Sequence, residues 1–475
     1  MNRHLVLFSL LAIYVLLLNS PLIIAWMADL PARPWRDELA SGLAMIGLVM
    51  IFLEFVLSGR FKSITAPIGI DIIMRSHQLV GRVVIILLFL HPMLYSLPSN
   101  RLLPWDTYLA QGTRLGMQDT VTGMLAWLGL ALVVFLTLLR DTLLTSYEQW
   151  RRLHLLLALT TASLALVHVI GAGRYTAFTS VYWVWLALAL LAIMALVHVY
   201  LTVPWQQRSH PYLIESVTAV ANRTWLLRLK PERGEVMDYL AGQFVWLKFS
   251  GPFMSHQEHP FSISSHPGNR QSLEFTIKEF GDFTAHIGQL TMGSRVYVDG
   301  PYGHFTTQHR RAEGMMLIAG GVGIAPIIGI LRQLAEDGYR APVILITCHS
   351  TPQDLPYKDE LKRLTKQLSL RTIHMASHGA ESSDCLQGRL SHRIIADHLP
   401  QKPASCLYFV CGPGGMMDSA DQSLLDLGVP LKQIVSERFR YDKVSTSRRS
   451  RYMLYLMFGI LAITGCVLLG FSFHL

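Results

Sequence analysis

Charge is scarce in this sequence. Only 15% of the 475 residues are Asp, Glu, Lys or Arg, against about 25% in ordinary soluble domains. The hydrophobic share is 51% and the mean hydropathy +0.35, so a wholly soluble or disordered chain is excluded. Cysteine is scarce too. The five present (Cys348, Cys385, Cys406, Cys411 and Cys466) form no C-x-x-C pair and no even framework, which argues against a disulfide scaffold or a zinc site. Glycine follows no collagen-like period, and no long heptad register runs through the chain. The net charge of +9 comes without a long basic block. Spread in this way, it suits loops facing a lipid bilayer and gives no nucleic-acid footprint.

Long apolar runs are abundant, and they are unevenly placed. They occupy about 5–28, 39–57, 79–97, 121–139, 153–171 and 181–203, each near the roughly 20 residues a helix needs to cross a bilayer. Residues 205–450 then read as a soluble protein, with short strands, Gly/Pro turns and ordinary charge. A last run, 452–471, is again long enough to span. The first run follows Met-Asn-Arg-His like a signal peptide, but it is too long for an h-region and no small-residue cleavage site follows. An uncleaved anchor is the expectation.

Orientation follows from Lys and Arg at the span ends. With the N-terminus inside, the inner loops hold Arg60, Lys62, Arg75, Arg140, Arg151 and Arg152, and Lys443, Arg448, Arg449 and Arg451 precede the last span. Six crossings return the chain to its starting side. The expectation is a multi-pass cell-membrane protein whose soluble module is cytoplasmic.

Ionisable side chains at membrane depth are costly and usually functional. The third run carries His77 and His91, and the fifth carries His154 and His168. Fourteen residues separate the members of each pair, a rise of roughly 21 Å with only about 40° of drift around a helix. Each helix therefore shows two imidazoles on one face. The two spans run in the same direction, so His77 can meet His154 near one side and His91 can meet His168 near the other. Two stacked sites of two imidazoles are what two bis-histidine b-type haems require. The alternative is that the histidines line a pore, pack helices or sit at the interface. Arg60 and Arg75 stand where haem propionates would need cations, although setting topology explains them equally. His198, in the sixth run, has no such partner and reads as packing.

Within the soluble stretch, WLLRLKP, GQFVWLKFS, SLEFTIKEF and SRVYVDGPYG predict a small antiparallel barrel over about 210–308. It contains His259-Pro260-Phe261-Ser262-Ile263-Ser264-Ser265, then Phe275-Thr276-Ile277-Lys278 and Gly281-Asp282-Phe283-Thr284. Glycine followed by a hydroxyl residue at a helix start can hold a pyrophosphate on backbone N–H groups. From about 314 to 440 strands alternate with helices, as in a doubly wound parallel sheet. The strand GMMLIAG enters Gly320-Gly321-Val322-Gly323-Ile324-Ala325-Pro326, and CLYFV ends in Cys411-Gly412-Pro413-Gly414-Gly415. Ligands of such sheets lie beyond the carboxyl ends of the strands, where both loops fall.

Taken together, HPFSISS, FTIK-x-x-GDFT, GGVGIAP, CGPGG and the closing Glu437-Arg438-Phe439 resemble the FAD/NAD(P)H module of the ferredoxin–NADP reductase superfamily. Preceded by a six-span bundle with paired histidines, the whole resembles the ferric reductase and NADPH oxidase family over about 40–440. The resemblance implies an α-helical membrane bundle plus a soluble β-barrel (FAD) and an α/β doubly wound (nucleotide) domain. The expected divisions are 1–204 for the haem-binding bundle, 205–308 for the barrel, 309–440 for the nucleotide domain, and 441–475 for a basic linker and seventh span. It also implies that His259, Pro260, Phe261 and Ser262 line the isoalloxazine, while Lys278, Gly281, Phe283 and Thr284 hold the FAD phosphates. Gly320, Gly321, Gly323, Cys411, Gly412 and Pro413 would form the NAD(P)H site, with Phe439 stacking on the flavin where the nicotinamide arrives.

Two features depart from the family pattern. A basic linker and an apolar span follow the aromatic that usually ends the chain. The stretch Cys348-His349-Ser350-Thr351-Pro352, where a 2′-phosphate would sit, has no arginine, which leaves NADPH and NADH both open. The expected function is a transmembrane oxidoreductase. It would pass electrons from cytoplasmic NAD(P)H through FAD and two haems to an outer acceptor: a ferric chelate, O₂ (with superoxide formed), or a periplasmic protein or quinone. The competing reading is a membrane-anchored flavin reductase without haem that serves a cytoplasmic acceptor. A redox-gated transporter would need more intramembrane charge than Glu54 and Arg82 supply.

Overall fold

The computed structural model describes residues 3–27, 34–96, 117–140, 147–177, 179–249, 251, 258–308, 310, 312–379, 385–437 and 448–473. The chain divides into two compact units, residues 1–68, 72–199 and 452–475 in one, and 69–71 and 200–451 in the other.

In the first unit, α1 (Arg3–Trp26), α2 (Trp35–Leu57), α4 (Ile70–Ser96), α5 (Met117–Leu138) and α6 (Tyr147–Ala172) contain five spans long and apolar enough to cross a membrane, α7 (Thr179–Val197) begins a sixth that runs on to Ser209, and α3 (Lys62–Ile68) is a short connector. Phe8, Leu16, Ile86, Phe89, Leu128, Phe135, Leu156, Trp183 and Ile193 are exposed, as lipid-facing side chains of a bundle are. The core centres on α2. Its Leu43, Ile46, Val49, Met50 and Leu53 are buried together with Leu18 and Leu22 of α1 and Val181, Trp185 and Leu188 of α7. A helix apolar on every side belongs inside a bundle. The expected seventh run is a helix as well, α13 (Arg448–Phe473), and it is part of this core. Leu468 and Phe471 pack at Gly42 of α2, where a Cβ would lie 2.2 Å from a Leu468 methyl. The close approach of helices in lipid relies on small residues of this kind.

In the second unit, α8 (Val203–Ser209) precedes a six-stranded antiparallel sheet: β1 (Tyr212–Ala221), β2 (Thr224–Pro231), β3 (Phe244–Lys248), β4 (Glu258–Ser262), β5 (Leu273–Lys278) and β6 (Arg295–Tyr302). The strand order is β4-β3-β6-β1-β2-β5, and a bridge between Ile263 and Phe275 joins its two ends into the expected barrel. Leu227, Leu229, Val245, Leu247, Phe275, Ile277 and Val296 fill the interior.

The second sheet is parallel, in the order β10-β9-β8-β7-β11-β12. It comprises β7 (Gly314–Gly320), β8 (Val343–His349), β9 (Leu370–Ala376), β10 (Leu386–Gln387), β11 (Cys406–Cys411) and β12 (Ile434–Ser436), with helices α9 (Ile324–Glu336), α10 (Lys358–Gln367), α11 (His392–Asp397) and α12 (Gly414–Asp426). Every residue of β7 and of β11 is buried, as expected of strands covered on both faces. From β7 the order runs one way to β8 and β9, and the other way to β11. The switch point therefore lies between β7 and β11, where an open α/β sheet binds its ligand.

Candidate functional site

The two glycine loops meet at that switch point. A Cβ on Gly323 would lie 2.1 Å from the Cys411 carbonyl oxygen, and one on Gly412 would lie 2.9 Å from Gly320 Cα. A Cβ on Gly320 would in turn lie 2.8 Å from Pro413 Cδ and 2.5 Å from Met416 Sδ. Gly321 has φ +53° and open space beside it, a conformation that favours glycine. The structure thus brings Gly320, Gly321, Gly323, Cys411, Gly412 and Pro413 together, with α9 and α12 starting at the two loops. Burial pushes the Cys411 thiol up, so this cysteine packs as a neutral thiol.

On the barrel, His259, Pro260, Phe261 and Ser262 lie along β4, opposite Leu247, Trp246, Val245 and Phe244 of β3. The His259 ring stacks on Phe283, with centroids 4.4 Å apart and planes at 18°. This joins the two stretches expected to line the flavin and to hold its phosphates. Lys278 ends β5 opposite Thr224. Gly281 has φ +103° with nothing within 4 Å of a Cβ, and the Thr284 hydroxyl accepts from the Phe280 N–H at 2.8 Å. Ser264 and Ser265 act within the barrel. Ser264 Oγ accepts from Thr276 N–H at 3.0 Å, and Ser265 Oγ accepts from Glu274 N–H at 3.1 Å and from the Tyr239 hydroxyl at 2.9 Å. Burial pushes the Tyr239 hydroxyl up to about 12. In the stretch after β8, Thr351 and Asp354 form a capping box. Phe439 and residues 441–447 lie outside the described residues.

In the bundle, the four histidines share one arrangement. His77 Nδ1 is 2.6 Å from Glu54 Oε2, and His91 Nδ1 is 2.8 Å from the Ala40 carbonyl, both on α2. His168 Nδ1 is 2.8 Å from the Asp119 carbonyl and His154 Nδ1 is 3.4 Å from Thr137 Oγ1, both on α5. One nitrogen of each ring is engaged by an oxygen, which is how metal-binding imidazoles are held so that Nε2 faces the metal. The His77 and His154 rings have centroids 6.1 Å apart. Two metal–imidazole bonds of about 2 Å in line, plus roughly 1 Å from each nitrogen to its ring centre, also amount to about 6 Å. Gly123, where a Cβ would lie 2.7 Å from His168 Nδ1, lets α5 approach that ring, and Gly81, one turn from His77, has nothing within 4 Å of a Cβ. The His77 and His154 pair therefore fits a bis-histidine haem. Among the described residues no group of three or more His, Cys, Asp or Glu is placed to hold a bare ion. His198 stacks on Phe61 at 5.0 Å, in keeping with a packing role.

The acceptors Glu54, Thr137 and the carbonyls of Ala40 and Asp119 were not among the expected site residues. Only Glu54 carried a signal, as an acid inside an apolar run.

Comparison with known proteins adds three matches. Residues 43–165 match the family described as ferric reductase like transmembrane component, 212–306 the FAD-binding domain, and 317–422 the oxidoreductase NAD-binding domain. The chain has a ferric reductase/NADPH oxidase-like architecture. This ferric reductase-like chain is a multi-pass membrane protein, and its FAD- and NAD-binding domains support FAD and a nicotinamide nucleotide as ligands.

Among curated proteins it is 30% identical over 221 residues to the reductase component of propane 2-monooxygenase from Mycolicibacterium goodii, covering 45% of this chain and 62% of the relative. It is 32% identical over 197 residues to a probable dihydroorotate dehydrogenase B (NAD(+)) electron transfer subunit from Methanopyrus kandleri, covering 41% and 66%. The chain thus spans 62–66% of the length of these relatives. Among solved structures, the FAD/NAD-binding domain of a Vibrio cholerae nitric oxide dioxygenase aligns with TM-score 0.44 at 22% identity, covering 48% of this chain and 98% of that one.

Proposed function

We propose that this chain is a transmembrane flavohaem oxidoreductase. It takes electrons from NADPH or NADH on the cytoplasmic side and delivers them to an outer acceptor, ferric iron or O₂. The reaction balances as NAD(P)H plus two oxidised one-electron acceptors giving NAD(P)⁺, one proton and two reduced acceptors.

The observation that carries this reading is the histidine quartet. Four imidazoles in two pairs, each with Nδ1 engaged by an oxygen, would hold two haem irons at their Nε2 atoms. His259, Pro260, Phe261 and Ser262 would line the flavin ring, with Phe283 fixing the His259 plane and Lys278 placing a cation for the phosphates. The packed loops at Gly320–Gly323 and Cys411–Pro413 leave backbone N–H groups, not side chains, to meet the nucleotide. When bound, FAD supplies the conversion of a two-electron hydride into single electrons that haem iron can take.

The test is an anaerobic visible spectrum of the purified protein in detergent, before and after NADH or NADPH. Flavin bleaching with the rise of reduced b-type haem bands is expected, and His91→Ala or His168→Ala should lose about one haem of the two. Bleaching with no haem signal, in protein made with adequate haem supply, would leave a membrane-anchored flavin reductase.

A further inference from the structure

The four acceptors behind the histidines are not alike. Ala40 and Asp119 offer neutral backbone carbonyls, and Thr137 a hydroxyl at 3.4 Å. Only His77 meets a carboxyl group, Glu54, at the shortest distance of the four, 2.6 Å. The Glu54 side chain is 12% exposed, and its Oε1 is buried with no hydrogen-bond partner among the described residues. At the other pair it is backbone carbonyls, not the acids of the same helices, that meet His91 and His168 at Nδ1. Glu38 is tied to Arg174 and to the Tyr175 hydroxyl, and the Asp119 carboxyl lies against Gly171.

We propose that Glu54 is a positioning residue that sets the reduction potential of the haem held by His77 and His154 below that of the haem held by His91 and His168. The inference rests on the haem reading above. An imidazole that binds iron through Nε2 carries its proton on Nδ1, so His77 donates and Glu54 accepts. A carboxyl group drawing on that proton makes the ring a stronger electron donor to the metal, which favours the ferric state. The carbonyls of Ala40 and Asp119 are weaker acceptors for that proton. The step affected is a one-electron reduction in which no bond is made or broken. Its consequence is direction: an electron is favoured to leave the His77/His154 pair for the His91/His168 pair.

The experiment is a potentiometric titration of the haem bands in the full-length protein. The unaltered chain should show two one-electron midpoints. Glu54→Gln should raise the lower midpoint by a factor of about ten in the reduction equilibrium, about 59 mV, and leave the upper one in place. Thr137→Val, which removes the long contact to His154 and the hydroxyl's bond to the Val133 carbonyl, should move neither by that amount. Two unmoved midpoints, or a shift of the upper one alone, would overturn the proposal while leaving the haem assignment intact. If Glu54→Gln fails to take up haem, infrared difference spectra of the unaltered protein decide. A carboxyl band that changes across the lower step supports the proposal, and its absence there overturns it. A chain with no haem bands overturns the underlying reading as well.

Discussion

His349 ends β8 at the ligand-binding edge of the parallel sheet, 7% exposed, with neither ring nitrogen hydrogen-bonded among the described residues. Burial first, and then the charge of Lys278, push its pKa down to about 4, outweighing the opposing pull of Asp354. The unfolded chain holds that proton up to about pH 6.5, whereas the folded chain does not accept it until about pH 4. The unfolded state therefore binds more protons across that window, and stability rises with pH there. His349 in its neutral form is favoured, and up to about 3 kcal/mol is lost as pH falls from about 7 towards 4. Replacing it by glutamine removes the titrating group. Unfolding midpoints of the full chain measured from pH 7 to pH 4.5 should fall less steeply in His349→Gln than in the parent. Parallel slopes would show that the buried ring does not titrate as its surroundings dictate.

The scale of elements shows most plainly what was legible beforehand and what was not. The pairing of His77 with His154 could be read because helix periodicity is local: fourteen residues on each of two spans fix the faces without knowledge of their neighbours. GGVG and CGPGG were readable for a related reason, since close backbone approach admits only glycine, and Gly323 against the Cys411 carbonyl is that constraint made visible. What supports these motifs depends on which elements become neighbours, and that was hidden. The carbonyls of Ala40 and Asp119 have no signature in sequence.

Nor does the strap between barrel and nucleotide sheet. Arg332 on α9 donates to Ser264 O and Glu274 Oε2 at the barrel, both at 2.8 Å, and forks onto Glu360 of α10 at 2.6 and 2.9 Å, while lying 5.3 Å over the Tyr357 ring. Tyr357 itself reaches Thr276 at 2.7 Å. In sequence these are ordinary charges scattered along a strand and two helices. Removing Arg332 strands the part-buried Glu360 carboxylate and leaves Glu274 with Arg228 alone, a loss of about 3 kcal/mol, and lysine cannot reproduce the fork. Arg332→Met should therefore lower the thermal midpoint of the soluble unit, with Arg332→Lys recovering less than half. Adding Glu274→Leu to Arg332→Met should cost less than the sum of the two single changes. Strict additivity would mean the strap carries no coupling.

At the scale of the whole chain, the question is what the last helix belongs to. Its sequence shows only an apolar run after a soluble module, compatible with a loose tether or with a structural part of the bundle. The packing favours the second. Phe471 is 1% exposed and meets Tyr175 with ring centres 5.2 Å apart, Leu468 fills the space left by Gly42, and Gly470 faces Trp26. Thr464 accepts from the amide of Asn19, both nearly fully buried. In lipid such contacts bind through packing and hydrogen bonding, since the tails are as apolar as the side chains they would replace. Each is modest, but Leu468 and Phe471 sit in the same cluster as the α2 residues between Ala40 and Glu54, whose oxygens orient His91 and His77. Loss of α13 should therefore be felt at the histidines. On the haem reading proposed above, a Leu468→Ala/Phe471→Ala chain should unfold several degrees lower when followed by the Soret band, by loss of packing worth about 3 kcal/mol or more. Arg332→Met should leave that band's midpoint where it was. A bundle whose Soret midpoint ignores Leu468 and Phe471 would make α13 a tether after all.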